Sequence, residues 1–183
     1  MLLVVIGIRL WLKVQESQSQ SLLTLANTAP LTGCFTRRYF IRQFESLVKN
    51  DKNRFCILFI DVDHLKKINF TYGHNTGVQV LVRFTVLLKH NLRNDDIIAR
   101  WGGEEFIVLL PYIALTTGLN KAESLRQIIQ ETTIKLEQQT LSITASIGVV
   151  EYTQELNTLK KLIEVADQHL YRAKSQGRNL VFG

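Results

Sequence analysis

Three carboxylates stand where they could do chemistry on a phosphate. Asp61 and Asp63 are two residues apart, directly after the apolar run Phe55-Cys56-Ile57-Leu58-Phe59-Ile60. Glu104 follows the pair Gly102-Gly103 and precedes Glu105 and Phe106. If the segments carrying Asp61 and Glu104 are neighbouring strands, the two acids converge. Two carboxylates and a backbone carbonyl make an oxygen-rich site of the kind that holds Mg²⁺ together with substrate phosphates, and such an ion stabilises in-line displacement at phosphorus. Spacing alone does not separate this from a pair of solvated strand-end acids, since Asp-x-Asp is common. Lys174, Gly177 and Arg178 form a second cluster. Cations at a helix end satisfy the helix dipole; they would equally serve a triphosphate.

The elements that must position these groups can be read from periodicity. Six apolar residues closed by carboxylates predict a central strand ending at a functional edge. Thr36 is placed to cap a helix running to about Lys49, with Phe40, Phe44, Leu47 and Val48 on one side. A short helix over His64–Tyr72 ends at Gly73, and an apolar helix follows over Asn75–Leu92. Ile97–Trp101 and Phe106–Leu110 predict two strands joined by a tight hairpin, in which Gly102 and Gly103 supply positive φ. Thr117 to about Thr132 predicts a helix. The alternation Leu141, Ile143, Ala145, Ile147, Val149 predicts one half-buried strand. Leu159, Leu162, Ile163, Ala166, Leu170 and Ala173 share a helical face, and Asn179–Phe182 predicts a last short strand. This order of elements implies a single mixed α/β (α+β) domain, with one sheet of about five strands flanked by helices.

Composition narrows the partners. With 22 Lys+Arg against 16 Asp+Glu the chain carries +6, which suits phosphate-bearing ligands or an anionic surface. No stretch interleaves basic and aromatic residues as a nucleic-acid platform would, so no nucleic-acid partner is expected. Cys34 and Cys56 suggest neither a disulfide framework nor a zinc site. Residues 1–13 are apolar except for Arg9 and Lys13. As a helix the first twelve would span ~18 Å, too short for the ~30 Å of bilayer hydrocarbon. They read as the tail of a membrane span or a short interfacial anchor, tethering a cytoplasmic domain to the inner face of a bacterial inner membrane; a helix packing on a partner copy is the soluble alternative. Residues 14–28 read as a linker helix, and 29–183 as the domain.

Several blocks occur together in a familiar order. Leu31-Thr32-Gly33 precedes Arg37-Arg38 and Phe40. Phe59-Ile60-Asp61-Val62-Asp63-His64 is followed by Lys66, Ile68, Asn69, Tyr72-Gly73-His74 and Gly77. Arg100-Trp101-Gly102-Gly103-Glu104-Glu105-Phe106 leads to Ala122-Glu123, Thr144–Val149, Ala166-Asp167, Leu170-Tyr171, Ala173-Lys174 and Gly177-Arg178-Asn179. In this order they resemble the GGDEF family, the diguanylate cyclases, over almost all of the chain from Pro30 onward. The resemblance implies a fold related to the nucleotidyl cyclase and polymerase palm. It implies condensation of two GTP into cyclic di-GMP and two pyrophosphates by a homodimer, with Mg²⁺ or Mn²⁺ as cofactor. Asp61, the Val62 carbonyl and Glu104 would bind the metal. Backbone groups at His64 and Leu65, with Lys174 and Arg178, would hold the triphosphate, and Asn69 would hydrogen-bond the guanine. Glu105 would activate or position the 3′-hydroxyl, and Gly102 and Gly103 would let the α-phosphate approach the backbone. Arg93 and Asp96, an Arg-x-x-Asp before the signature strand, resemble the inhibitory site for cyclic di-GMP; as residues alone they are also a polar loop.

Three positions depart from the pattern. Ala29, Phe70 and Val78 stand where the family usually has Asp, and the acid at the last of these normally accepts hydrogen bonds from the guanine edge. Losing a charged acceptor costs about 1.5–3 kcal/mol. Three readings follow: an active cyclase, a weak or inactive domain that binds GTP or cyclic di-GMP and signals through a partner, and a cyclase with altered base preference.

Overall fold

The computed structural model describes residues 11–13, 15, 27–49, 54–136 and 139–183. Most of the linker over 14–28 and of the apolar segment over 1–13 lies outside them. Among the described residues no helix is long and apolar enough to cross a membrane.

The chain order is β1 (Phe35–Thr36), α1 (Arg37–Val48), β2 (Phe55–Val62), α2 (Leu65–Tyr72), α3 (His74–His90), β3 (Ile97–Arg100), β4 (Glu105–Pro111), α4 (Leu115–Glu131), β5 (Thr133–Lys135), β6 (Thr140–Ser142), β7 (Ala145–Glu151), α5 (Leu159–Ser175) and β8 (Val181–Phe182). The main sheet has six strands in the order β1-β3-β4-β2-β7-β8. Its central pairings β3–β4, β4–β2 and β2–β7 are antiparallel. The two-residue edge strands β1 and β8 pair in parallel, and they raise the expected count of about five.

Strand β2 is buried along its whole length because helices cover both faces of the sheet. Cys56, Leu58, Ile60 and Val62 point to the layer formed with Val80, Phe84, Leu88, Ala122, Leu125 and Ile129 of α3 and α4. Phe55, Ile57 and Phe59 point to the layer with Phe40 and Phe44 of α1 and Leu162, Ala166 and Leu170 of α5. Period-2 alternation then places Asp61 on the α1/α5 side, under the C-terminal end of α5.

The stretch predicted as one strand over Leu141–Val149 is two. Residues Thr140–Ser142 form β6, which hairpins with β5 as a separate two-stranded sheet, and the chain leaves extended pairing at Ile143-Thr144 before β7. Nor is β7 half-buried: its first six residues are all buried, since α4 and α5 pack against it on opposite faces.

Candidate functional site

Strands β2 and β4 are neighbours, with Asp61 opposite Glu105. The Val62 N–H donates to the Glu104 carbonyl at 3.3 Å, so Glu104 continues the pairing one step past the strand. Asp61, Glu104, Lys66, Lys67, Lys174 and Arg178 line one cleft of about 370 Å³, with His64 and Leu65 at its wall. Two acids and four cations therefore meet at the end of the central strand. Asp61 is buried, and Lys174 Nζ lies 2.8 Å from its Oδ2. Burial raises the Asp61 pKa, with Lys174 opposing the shift. Burial raises Glu104 as well, and the nearby Asp61 charge adds to it. Glu105 is raised by the same two causes in the same order.

Helix α2 starts beside this cleft. Its N-cap, His64, is left-handed (φ 58) and provides no side-chain cap. The Lys67 N–H donates to His64 O at 2.9 Å, and the Leu65 and Lys66 N–H groups are those a helix start leaves without intrahelical partners, which suits an anion. Lys66 stands on the first turn with its side chain exposed. Among the described residues, no three His, Cys, Asp or Glu side chains cluster as a metal cage. Two carboxylates and a strand-end carbonyl match the sparse protein donor set of Mg²⁺, which takes its remaining ligands from phosphate and water.

The hairpin at 101–104 has a different origin from the one expected. Neither Gly102 nor Gly103 adopts positive φ. The Trp101 and Gly102 N–H groups both donate to the Glu105 carbonyl, at 2.9 and 3.3 Å. The Arg100 guanidinium closes the loop from outside, donating to Gly102 O at 3.2 Å and to Gly103 O at 2.7 Å. At Gly102 a Cβ would meet Glu105 Oε2 at 2.6 Å, the tip of a flexible side chain that would have to swing aside. At Gly103 a Cβ would meet nothing within 4 Å, so that face is open to a ligand.

Asp63 does not join Asp61 as a functional acid. It is buried, accepts from Thr144 Oγ1 at 2.8 Å and Ser146 Oγ at 2.7 Å, and also takes the Asn179 N–H at 3.0 Å. With three donors on one carboxylate its role is to tie β2, β7 and the C-terminal loop together. A second cleft of about 410 Å³, on the Ile68–Tyr72 side of α2, has only this committed acid.

Asn69 packs over Gly77, where a Cβ would lie 1.8 Å from its Oδ1. That Oδ1 is the one buried side-chain polar atom without a hydrogen-bond partner among the described residues. Val78 follows Gly77 on α3 and lines a surface groove with Val82, Lys135 and Leu136, and Phe70 is 92% exposed. Arg93 and Asp96 lie in a separate cleft of about 250 Å³ with Ile113, Thr117 and Lys121. There the Arg93 N–H donates to Asp96 Oδ2 at 2.8 Å and the Asp96 N–H returns to Arg93 O at 3.1 Å. Burial raises the Asp96 pKa. Ala29, by contrast, sits in a turn where its N–H donates to Cys34 O at 2.7 Å and its carbonyl accepts from Gly33 N at 2.8 Å, with Lys89 Nζ donating to Gly33 O at 2.7 Å.

The profile of the family described as "Diguanylate cyclase, GGDEF domain" matches residues 26–180. This chain belongs to the GGDEF family. It is 41% identical over 166 residues to the response regulator PleD of Caulobacter vibrioides, covering 88% of this chain and 37% of that protein. It is 38% identical over 167 residues to the diguanylate cyclase DgcP of Pseudomonas aeruginosa, covering 90% of this chain and 24% of that one. The chain thus spans well under half the length of these relatives. The crystal structure of the GGDEF domain of DgcB from Caulobacter crescentus in complex with c-di-GMP superposes with a TM-score of 0.80 at 29% identity, covering 85% of this chain and 92% of that domain. Within the GGDEF fold, then, the sequence-predicted residues divide. Asp61, Glu104, His64, Leu65, Lys174 and Arg178 share one cleft, Glu105 adjoins it, and Arg93 and Asp96 form another. Sequence reasoning missed Arg100 as the clamp of the hairpin, and Lys67 in the cleft.

Proposed function

We propose that this chain is a Mg²⁺- or Mn²⁺-dependent diguanylate cyclase domain, acting as a homodimer that condenses two GTP into cyclic di-GMP. The observation that carries this is the convergence of Asp61 and Glu104 with Lys66, Lys67, Lys174 and Arg178 at the N-terminus of α2. A triphosphate needs cations and backbone donors together, and a metal needs the two acids. The divalent ion, held by Asp61, Glu104 and the Val62 carbonyl, supplies charge neutralisation at the reacting phosphate. The Asp61–Lys174 pair leaves Lys174 within reach of a phosphate once a cation satisfies Asp61. Gly103 admits the α-phosphate against the hairpin. Glu105, with its raised pKa and its place next to the open turn, holds the 3′-hydroxyl of the GTP bound by the facing copy and accepts its proton. The 3′-oxygen forms a bond to the α-phosphorus as the bond to the β-phosphate oxygen breaks, and pyrophosphate leaves. The same exchange at the second site closes the ring. The cleft of Arg93 and Asp96 is the candidate site for product inhibition.

The test is turnover. The chain, with GTP and Mg²⁺ at concentrations that favour the dimer, is expected to yield cyclic di-GMP and pyrophosphate in a 1:2 ratio. Absence of product from both this chain and its Val78→Asp variant overturns the catalytic reading. A second reading, a non-catalytic module that binds GTP or cyclic di-GMP, is favoured by the unpartnered Asn69 Oδ1 together with Val78 in place of the acid the family usually has. Nucleotide binding without turnover in both proteins would establish it.

A further inference from the structure

The loop that brings Arg178 to the cleft runs through three successive left-handed residues: Gly177 (φ 122), Arg178 (φ 66) and Asn179 (φ 50). Non-glycine residues persist there only where their surroundings over-determine them, and such strain clusters at functional sites. The surroundings are explicit. The Arg178 N–H donates to Ala173 O at 2.9 Å, at the end of α5. The Asn179 N–H donates to Asp63 Oδ2 at 3.0 Å. The Asn179 side chain is gripped from α4: its Oδ1 accepts from Arg126 Nη1 at 2.9 Å, and its Nδ2 donates to Gln130 Oε1 at 2.9 Å. Arg126 Nη1 also donates to Gln130 Oε1 at 2.7 Å, and Glu123 holds the rest of the guanidinium at 2.7–3.1 Å. The Arg126 side chain is 13% exposed.

The fixing falls on the Arg178 backbone and on Asn179, whereas the Arg178 guanidinium makes no hydrogen bond to the described protein and lines the cleft. The network therefore orders a backbone whose outward side chain is left free for a ligand. We propose that Arg126 is a positioning residue for the triphosphate: through Asn179 it fixes the left-handed turn that aims Arg178 into the cleft. This rests on the reading of Arg178 as a phosphate contact.

The experiment is a double-mutant cycle on affinity for a non-hydrolysable α,β-methylene analogue of GTP with Mg²⁺, measured by calorimetry on the full chain. Arg178→Ala is expected to weaken binding about tenfold, the worth of one charge-assisted contact. Arg126→Ala is expected to weaken it by a similar or smaller factor, and to add nothing in the Arg178→Ala background, because it acts through that residue. Guanosine, which lacks phosphates, should bind all four proteins alike. Arg126→Gln keeps one amide donor in the same place and is expected to lie between Arg126→Ala and the parent; it carries the cycle if the alanine variant does not fold. Equal weakening by the Arg126 change in both backgrounds, or none in either, overturns the inference while Arg178→Ala still weakens binding. If Arg178→Ala itself leaves affinity unchanged, the phosphate reading of Arg178 falls, and the positioning inference with it.

Discussion

At the end of β2, Asp61 is paired with Lys174, Asp63 carries three donors, and Arg178 follows a turn held from three elements. One turn along α2 the pattern reverses. Asn69 has a buried acceptor with no partner, Val78 offers no polar atom, and Phe70 stands almost fully in solvent. Both regions border the proposed substrate, but only the second holds a buried side-chain polar atom with no partner among the described residues. A buried polar atom left unmade costs about 1–3 kcal/mol, so the base end must recover that from a ligand or carry it as a loss. Phosphate grip and base recognition are therefore separable in this domain, and substitutions at the two ends should change different quantities.

The largest expected effect is at the phosphate and metal end. Asp61→Asn removes a proposed metal ligand while keeping shape and hydrogen-bonding capacity. Turnover is expected to fall by at least about a hundredfold, as losses in metal sites commonly do. Thermal stability without metal should hold or rise, because burial outweighs the Lys174 pairing in raising the Asp61 pKa, so the charged carboxylate is a net cost to the fold at neutral pH. Initial rates across a Mg²⁺ titration, with a melting curve on the same sample, check this. Activity near the parent's would place the metal elsewhere and dissolve the contrast between the two ends.

At the base end the expected change is smaller and of opposite sign. Val78→Asp restores the carboxylate the family usually has at this position, where the guanine edge could donate to it. Selectivity for GTP over ATP is expected to rise about ten- to a hundredfold, the worth of one charged acceptor, with little change in the maximal rate. Competition binding with the two nucleotides measures it. Equal selectivity in both proteins would mean that the base end of the parent is already complete by a route Val78 does not touch.

The contrast was only partly legible in the sequence. Burial on both faces made β2 a continuous apolar run, so its end at Asp61 could be placed, and with it the convergence on Glu104. Helix faces likewise announced α1, α3 and α5. Asp61 and Asp63, however, share a residue type and a strand end. What separates them is Thr144 and Ser146 on β7, and Thr144 reaches Asp63 only because extended pairing breaks between β6 and β7. Alternating hydrophobicity runs straight through that break and conceals it. The glycine hairpin misled for a related reason: neither glycine takes positive φ, and the loop is closed instead by the Glu105 carbonyl and the Arg100 guanidinium. Arg126 gave no signal because its decisive partner, Asn179, is distant in sequence.

The smallest expected effect concerns the outer support of the phosphate end. Arg126, through hydrogen bonds and then its charge, holds the Glu123 carboxyl below the usual range. A depressed carboxylate contributes stability above its unfolded pKa of about 4.3, and the contribution is lost as pH falls through the lower folded value. Glu123 is 44% exposed, so solvent screening keeps the term within about 0–1 kcal/mol. Acid titration of the melting temperature should therefore fall slightly less steeply below pH ~4.3 in Glu123→Gln than in the parent, with the two curves parallel at neutral pH. Identical acid limbs would mean that Arg126 keeps its place through Gln130 and Asn179 without help from Glu123. The clamp on the phosphate end would then be anchored by neutral amides alone, and its strength would be insensitive to pH across the range in which the carboxylates titrate.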